Sequence, residues 1–498
     1  MAGSCFLGID VGTSGVKAIL VSEPGDVVAS ATTPLTLATP QPGWAEQDPD
    51  AWWMATIAAI GNVLASRSDM HVAAIGISGQ MHSSVFLDGQ GDVIRPALLW
   101  CDGRTTAECR EITESVGGES KLRDLARNPA LEGFTLPKVL WLRNHEPQAF
   151  ARLSTVLLPK DFIRYRLTGT LATEPSDASA TLMFDTAERR WSTEILDAVR
   201  LPQSIVPDVG ESAEVLGRVT ADASALTGLA IGTPVVGGGA DNACGAAGVG
   251  AVTPGEAVAS WGTSGTVLAP TSEPLVDPLL RAHTFCHVAP NTWYLMGVVL
   301  AAGGAFAWYR DQLARDVADS VDANERLNAE AATISPGADG VTFLPYLQGE
   351  RTPHRDASMR GAVLGLSLAH SRAHLTRAVL EGVCFALRDS VAILQELGLA
   401  PSQMLLTGGG ARSAFVRRLQ SEVYGLPVCT ATREEGPAYG AALLAAVGAG
   451  VYSDLESATR ATLTRTPLEH PDAEAVAAYE LPYRRFRDSY RAARPVAG

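Results

Sequence analysis

Phe6-Leu-Gly-Ile-Asp10-Val-Gly12-Thr13-Ser14-Gly15-Val-Lys17-Ala-Ile-Leu-Val21 is the stretch whose reading decides the fold. Phe6–Ile9 reads as a buried strand, Asp10–Gly15 as a tight turn and Val16–Val21 as the returning strand, a β-hairpin with glycines at its bend. The same tetrapeptide returns as Gly262-Thr263-Ser264-Gly265, again between two apolar strands, Ala257–Ser260 and Thr266–Ala269. One such bend has little specificity. Two, each opening half of the chain, point to an internal duplication with a cleft between the copies. The expected organisation is therefore α/β, in two domains: 1–250, with the first phosphate loop and the substrate side, and 251–498, with the nucleotide side.

The elements around these hairpins follow from the same cues. Val27–Thr33 adds a third strand. Asp48-Pro49 starts a helix, with Asp as N-cap and Pro in the first turn, running towards Leu64. Val72–Ser78 and Ser83–Leu87 are strands, and residues 121–230 read as an insertion that shapes a substrate side. In the second half, 302–314 and 371–397 read as helices. Met404–Thr407 is a strand that meets Gly408-Gly409-Gly410, followed by a helix over Ala411–Tyr424. Gly436–Val447 reads as a core helix and 471–491 as a polar surface helix.

Bulk properties exclude several classes. A chain of 498 residues is too long for one ordinary core. A net charge of −15 argues against a nucleic-acid partner. No run of apolar residues is long enough to span a bilayer, so no membrane partner is expected. The start Met1-Ala2-Gly3-Ser4-Cys5 lacks a basic region before an apolar stretch, so no secretory signal is expected. Seven scattered cysteines with no Cys-x-x-Cys pair fit a reducing cytoplasm. No Gly-Lys dipeptide occurs, which excludes a Walker A loop.

At the middle of the chain stands Val235-Val-Gly-Gly-Gly-Ala-Asp241-Asn242-Ala-Cys-Gly-Ala-Ala-Gly-Val-Gly250. A carboxylate here follows a strand end, on a backbone that other groups can approach closely. Asp241 reads as a general base in the cleft. Taken alone, the stretch equally fits an Asp N-cap before a small-residue helix.

Glycine-rich bends expose backbone N–H groups, and Thr and Ser add hydroxyl donors. Two bends facing each other can hold a polyphosphate from both sides. Gly12, Thr13, Ser14, Gly262, Thr263 and Ser264 are accordingly the candidate phosphate contacts. Asp10 precedes the first loop and would repel a nucleotide unless a divalent cation lay between, so it is a candidate for Mg²⁺ held through water; a turn-initiating Asp is the alternative. Lys17 either reaches a phosphate as a point charge or turns to solvent. Gly408, Gly409 and Gly410 allow close approach of a flat ring or a ribose, or form a plain tight turn. Gly303-Gly304, opening a helix, reads the same way.

Gln80-Met81-His82 and Trp100-Cys-Asp102-Gly-Arg104 each follow a strand end. Amide, imidazole, carboxylate and guanidinium together suit a polyhydroxylated substrate. The competing reading is a structural His and a local Asp–Arg ion pair. Histidines spaced i,i+4 occur at 283/287 and 370/374 without a His-Glu-x-x-His, so zinc hydrolysis is not expected. Neither a Gly-x-Ser-x-Gly elbow nor a complete Gly-x-Gly-x-x-Gly is present.

With these residues in view, the chain resembles the FGGY carbohydrate kinases over nearly its whole length. The resemblance lies in Gly8–Lys17, in Gly133-Phe-Thr-Leu-Pro-Lys-Val-Leu-Trp-Leu-Arg-Asn-His145, and in Gly361–Leu366 with His374-Leu375 and Ala378–Glu381. Gln80-Met-His82, Trp100–Arg104, Leu158-Pro-Lys-Asp161 and Leu344–His354 are similar to the xylulose-phosphorylating branch. The resemblance implies an actin-like (ribonuclease H-like) ATPase fold with an interdomain cleft. It implies transfer of the ATP γ-phosphoryl group to the 5-hydroxyl of D-xylulose, or otherwise to another ketose or polyol. Met81, His82, Asp241 and Asn242 take the sugar-side positions, Asp241 the base, and Asp10 the position tied to activity beside the phosphates. Ser83 and Ala240 depart from glycines of the family pattern and are expected to add bulk near the sugar. The oligomeric state is left open, with a homodimer admissible. An actin-like ATPase of chaperone or filament type, and a sugar sensor without catalysis, are the other classes to be weighed.

Overall fold

The structure is a computed structural model that describes residues 3–433 and 435–497. Its first sheet is built from β1 (Gly3–Val11), β2 (Gly15–Ser22) and β3 (Val27–Pro34). Helix α1 (Pro49–Ser66) follows, then β4 (Met70–Gly79). Asp48 caps α1 by accepting from the Asp50 N–H, as the Asp-Pro pair predicts. Helix α2 (Thr135–His145) belongs to the insertion, and β5 (Pro234–Val236) and α3 (Asp241–Ala247) bring the chain back. The sheet order is Val215–Arg218, β5, β4, β1, β2, β3. β1 runs antiparallel to β2 and parallel to β4. The second half repeats the pattern.

Its strands are β6 (Glu256–Trp261), β7 (Gly265–Thr271) and β8 (Trp293–Val299). Helices α4 (Gly303–Leu313) and α5 (Arg372–Glu396) precede β9 (Gln403–Gly408). Helix α6 (Ala414–Tyr424), β10 (Val428–Cys429), α7 (Pro437–Gly448) and α8 (Ala473–Ala497) complete it. Sheet order is His283–Cys286, β8, β7, β6, β9, β10. Here too a hairpin, β6–β7, is flanked by an antiparallel neighbour on one side and a parallel one, β9, on the other. Two sheets of matching order make the α/β expectation concrete.

The duplicated bends are not superimposable in register. Val11 faces Val16 across the first, whereas Trp261 faces Gly265 across the second, which is tighter by one residue. Identical tetrapeptides thus give different turns, because the flanking strands set the pairing.

From Cys5 through Val11, β1 is buried on both faces except at Asp10, as expected for a sheet covered on both sides. Helix α1 packs on β2 and β3, while α7 crosses from the second half of the chain to pack on β1 and β4. The approach of α7 requires glycine: a Cβ on Gly8 would lie 2.0 Å from the carbonyl oxygen of Ala438. Helix α7 also packs on α3. The helix that carries Asp241 is therefore wedged against the helix that joins the two halves.

Two expectations are corrected. The predicted helix at 411–424 is broken, with a short turn Gly409–Arg412 before α6. The stretch read as a polar surface helix instead buries Tyr479, Tyr483, Phe486 and Tyr490 in the second core. Their spacing marks one helical stripe, hidden in the sequence by the charged residues around it. Each of the three tyrosines bonds through its hydroxyl, to Arg377, Asp389 and Asp356.

Candidate active site

The parallel pairing of β1 with β4 sets the site. Asp10 lies opposite Ser78, and Gly239-Ala240 pairs with Ser78-Gly79, so Asp10, Asp241 and the Gln80-Met81-His82 turn converge at the carboxyl ends of neighbouring strands. That edge is where open α/β sheets bind ligands.

Asp241 is the first residue of α3; the N-cap position belongs to Ala240, so the capping alternative misses by one. Asp241 Oδ1 accepts from the Asn242 N–H at 2.7 Å and from Asn242 Nδ2 at 3.0 Å. Burial and the nearby Asp10 charge push the carboxyl up to about 7. Asp10 is itself pushed up to about 6 by burial, against the pull of Lys17 and the nearby Ser78. Its Oδ1 is inaccessible and has no hydrogen-bond partner among the described residues. Two carboxyls held near neutrality, one with an unsatisfied oxygen, form a site that a cation or a proton would complete.

His82 adopts φ 67°, a left-handed backbone unusual for a non-glycine residue. Its Nδ1 lies 2.6 Å from the Ala180 carbonyl, which can only accept. Nδ1 therefore carries the proton and Nε2 is left as an acceptor. Burial lowers the imidazole to about 3, so the ring is neutral at physiological pH. Met81 lies behind Asn242, its sulfur accepting from Nδ2 at 3.3 Å.

Other predicted contacts are built into the protein. Gln80 is 2% exposed. Its Oε1 accepts from Thr13 Oγ1 at 3.1 Å and from Ser83 Oγ at 3.2 Å, and its Nε2 donates to Gln47. It links the first loop to the Met81-His82 turn. Asp102 accepts from the Ala45 N–H at 2.6 Å and from both the backbone and guanidinium of Arg104. Arg104 lies over Trp44 at 3.6 Å and reaches Glu46 at 2.8 Å. Asp102 and Arg104 thus form a buried local ion pair. The bulk expected from Ser83 and Ala240 is likewise turned inward. Ser83 bonds Gln80 and the Trp100 N–H, and Ala240 is fully buried with its N–H on Ser176 Oγ. Lys17 neither turns to solvent nor points free into the cleft: its Nζ pairs with Glu435 at 2.5 Å, across to the loop before α7.

Two cavities adjoin at Gly408-Gly409. One, of about 280 Å³, is lined by Asp241, Asn242, Ser260, Thr266, Gly408 and Gly436. The other, of about 400 Å³, gathers Gly262, Thr263, Gly304, Gly409 and Gly410 with Phe306. A Cβ on Gly410 would lie 2.6 Å from the Trp261 indole, and one on Gly303 2.5 Å from the Gly262 carbonyl oxygen. These glycines are required by packing around the second loop. Of the first loop, Gly12 and Thr13 are half-buried and Ser14 is exposed; Gly12 closes the bend through its N–H to the Gly15 carbonyl at 3.0 Å. Ser264 is half-buried at the second.

Two halves with one sheet order, a carboxylate at each of two strand ends and two neighbouring cavities are now in place. The N-terminal and C-terminal domain models of the FGGY family of carbohydrate kinases match residues 5–248 and 257–449. The chain belongs to the FGGY family of carbohydrate kinases. It is 41% identical to the xylulose kinase of Escherichia coli strain K12, over 99% of both chains. It is 38% identical to the xylulose kinase of Bacillus subtilis strain 168, over 97% of this chain and 96% of the other. The solved structure of a xyloylose kinase from Brucella ovis aligns with a TM-score of 0.92 at 36% identity, covering 99% of this chain and 100% of that one. As an FGGY kinase the chain has the actin-like ATPase fold.

Three residues of this FGGY kinase's site escape sequence reading. Trp100 donates its indole N–H to Thr13 Oγ1 at 3.0 Å, and Gln47 donates to the Thr13 carbonyl at 2.8 Å. Lys138 sits beneath His82. Trp100 and Lys138 lie in motifs legible beforehand, Trp100–Arg104 and the Gly133–His145 pattern, but neither contact is; Gln47 lies in none.

Proposed function

We propose that the chain transfers the γ-phosphoryl group of ATP to the 5-hydroxyl of D-xylulose, giving D-xylulose 5-phosphate and ADP. The observation that carries this reading is a cavity lined by Asp241 and Asn242, with Asn242 bonded to Met81 next to His82, beside a second cavity lined by the second loop. The relatives at about 40% identity over their full length, all xylulose kinases, support the sugar.

In this account Asp241 Oδ2 takes the proton of the sugar hydroxyl, while Asn242 holds Oδ1 and fixes the carboxylate's direction. Only the ionised carboxyl serves, and a value near 7 keeps a substantial fraction ionised at neutral pH. His82 Nε2 accepts from a further hydroxyl. Gly262, Thr263 and Ser264 hold phosphates from one wall and Gly12, Thr13 and Ser14 from the other. Gly304, Gly408, Gly409 and Gly410 border the rest of the nucleotide. Lys17 acts through its Glu435 pair, fastening the first hairpin to α7. Mg²⁺, when bound, neutralises the charge of the phosphates. The orphaned Asp10 Oδ1 fits it through water, since Mg²⁺ sites commonly use one or two carboxylates with retained waters. Phosphoryl transfer needs alignment and charge neutralisation more than covalent chemistry, and these residues supply both.

The domain boundary at 250/251 belongs to this proposal, supported by the two sheets and qualified by the return of α7 to the first. A cytoplasmic location belongs to it too, in keeping with seven unpaired cysteines. No helix among the described residues is long and apolar enough to cross a membrane. The test is ADP release measured over D-xylulose, D- and L-ribulose, L-rhamnulose and glycerol. D-xylulose should give the highest kcat/KM; preference for glycerol overturns the substrate. ATP consumption that no sugar alters would instead favour a chaperone-type or filament-type ATPase.

A further inference from the structure

Lys138 has no part in the chemistry above, yet its side chain is fully buried. Its Nζ donates to three carbonyls: His82 at 3.2 Å, Phe134 at 3.1 Å, and Gly133. No carboxylate pairs with it among the described residues. Burial draws its pKa down to about 7, and three acceptors favour the ammonium form that has three hydrogens to give. A buried cation without a counter-ion is costly, and a hydrophobic residue of similar length would pack there more cheaply. What the cation does is local. Thr135, in the first turn of α2, donates its hydroxyl to the same His82 carbonyl at 2.9 Å. His82 holds the left-handed backbone at φ 67°. Such a conformation costs about 1–3 kcal/mol at a non-glycine residue and persists only when its surroundings over-determine it. The carbonyl of His82 is fixed from α2, and its ring from the other side by Ala180.

We propose that Lys138 is a positioning residue: with Thr135 it clamps the His82 carbonyl and thereby aims the imidazole Nε2 at the sugar. This rests on His82 being a sugar contact, as proposed above.

The test is a double-mutant cycle on Lys138→Met and His82→Ala, read as KM for D-xylulose, KM for ATP, kcat and melting temperature. His82→Ala should raise the sugar KM about tenfold. Lys138→Met should raise it by a similar factor, with KM for ATP unchanged. Adding Lys138→Met to His82→Ala should raise the sugar KM less than about twofold further, because groups acting through one another are not additive. Thr135→Val should move the sugar KM in the same direction by a few-fold, and it carries the cycle if Lys138→Met does not fold. Full additivity, or a fall in melting temperature with KM unchanged, overturns the positioning role. An unchanged sugar KM in His82→Ala alone overturns the reading of His82 on which the role depends.

Discussion

Replacing Asp241 with asparagine removes one proton acceptor and little else. The amide keeps the shape and can still accept from the Asn242 N–H, which Oδ1 now does at 2.7 Å. A positioned general base contributes about 10²–10⁴ in rate, or about 3–5 kcal/mol of transition-state stabilisation. ATP affinity should hold, because the glycines of the second loop line a separate cavity that Asp241 does not border. The pH dependence gives a second, independent number. Asp241 in the free protein is pushed up to about 7. At pH 6 about a tenth of it is ionised, so kcat/KM for the ketose should fall nearly tenfold per unit below pH 7. Asp10→Asn removes a neighbouring negative charge and should shift that limb to lower pH. A divalent cation would act in the same direction, so the profile is read at sub-saturating MgATP, where the free enzyme dominates. The limb belongs to the pair of carboxyls rather than to one of them. The assay is coupled ADP release from pH 5.5 to 8.5, with ATP binding followed by calorimetry. Asp241→Asn retaining more than about a tenth of the parent rate refutes the reasoning. So does a residual activity that keeps the same acid limb.

The same raised pKa values affect stability. A carboxyl whose folded value lies near 7, against about 3.9 in the unfolded chain, favours the folded state only when protonated. Stability is fully present below the unfolded value and is lost as pH rises towards 7. Asp241→Asn should therefore raise the melting temperature by a few degrees at pH 7.5, with the gain vanishing near pH 4. Gly8→Ala would force a Cβ to 2.0 Å from the Ala438 carbonyl and should cost at least about 1–3 kcal/mol in urea denaturation as α7 is displaced. Arg104→Leu breaks a buried ion pair and should lower stability by about 3–5 kcal/mol, while the folded fraction keeps the parent sugar KM. A selective rise in sugar KM would restore Arg104 as a sugar contact. Gly303→Ala presses on the Gly262 carbonyl and should raise KM for ATP while leaving sugar binding, measured without nucleotide, unchanged.

The duplicated hairpin was legible because Gly-Thr-Ser-Gly lies between apolar runs twice, and strand pairing around a bend is a local property. The placing of Asp10, Asp241 and the second-loop glycines at strand ends was legible for the same reason. The internal bonding of other polar residues was not legible. Gln80, Asp102 and Arg104 are polar residues at strand ends too, and no local pattern shows whether a polar group will meet a ligand or another buried group. Partners from Thr13, Ala45 and Trp44 decide that, and they are set by tertiary packing. Lys138 was hidden in the opposite way: it lies in a recognisable motif but touches backbone carbonyls, which carry no side-chain signature. The buried stripe of α8 was masked because arginines crowd the other positions of that helix.

The central claim is geometric: Asp241 faces the acceptor hydroxyl with the γ-phosphate beyond it. The measurement that tests it most directly is the structure of the ternary complex with D-xylulose and a non-hydrolysable ATP analogue. The account predicts the sugar 5-hydroxyl oxygen within about 2.6–3.2 Å of Asp241 Oδ2, with the terminal phosphorus in line on its far side. A sugar seated away from Asp241, or a terminal phosphate lodged elsewhere than between the two Gly-Thr-Ser-Gly bends, would contradict it.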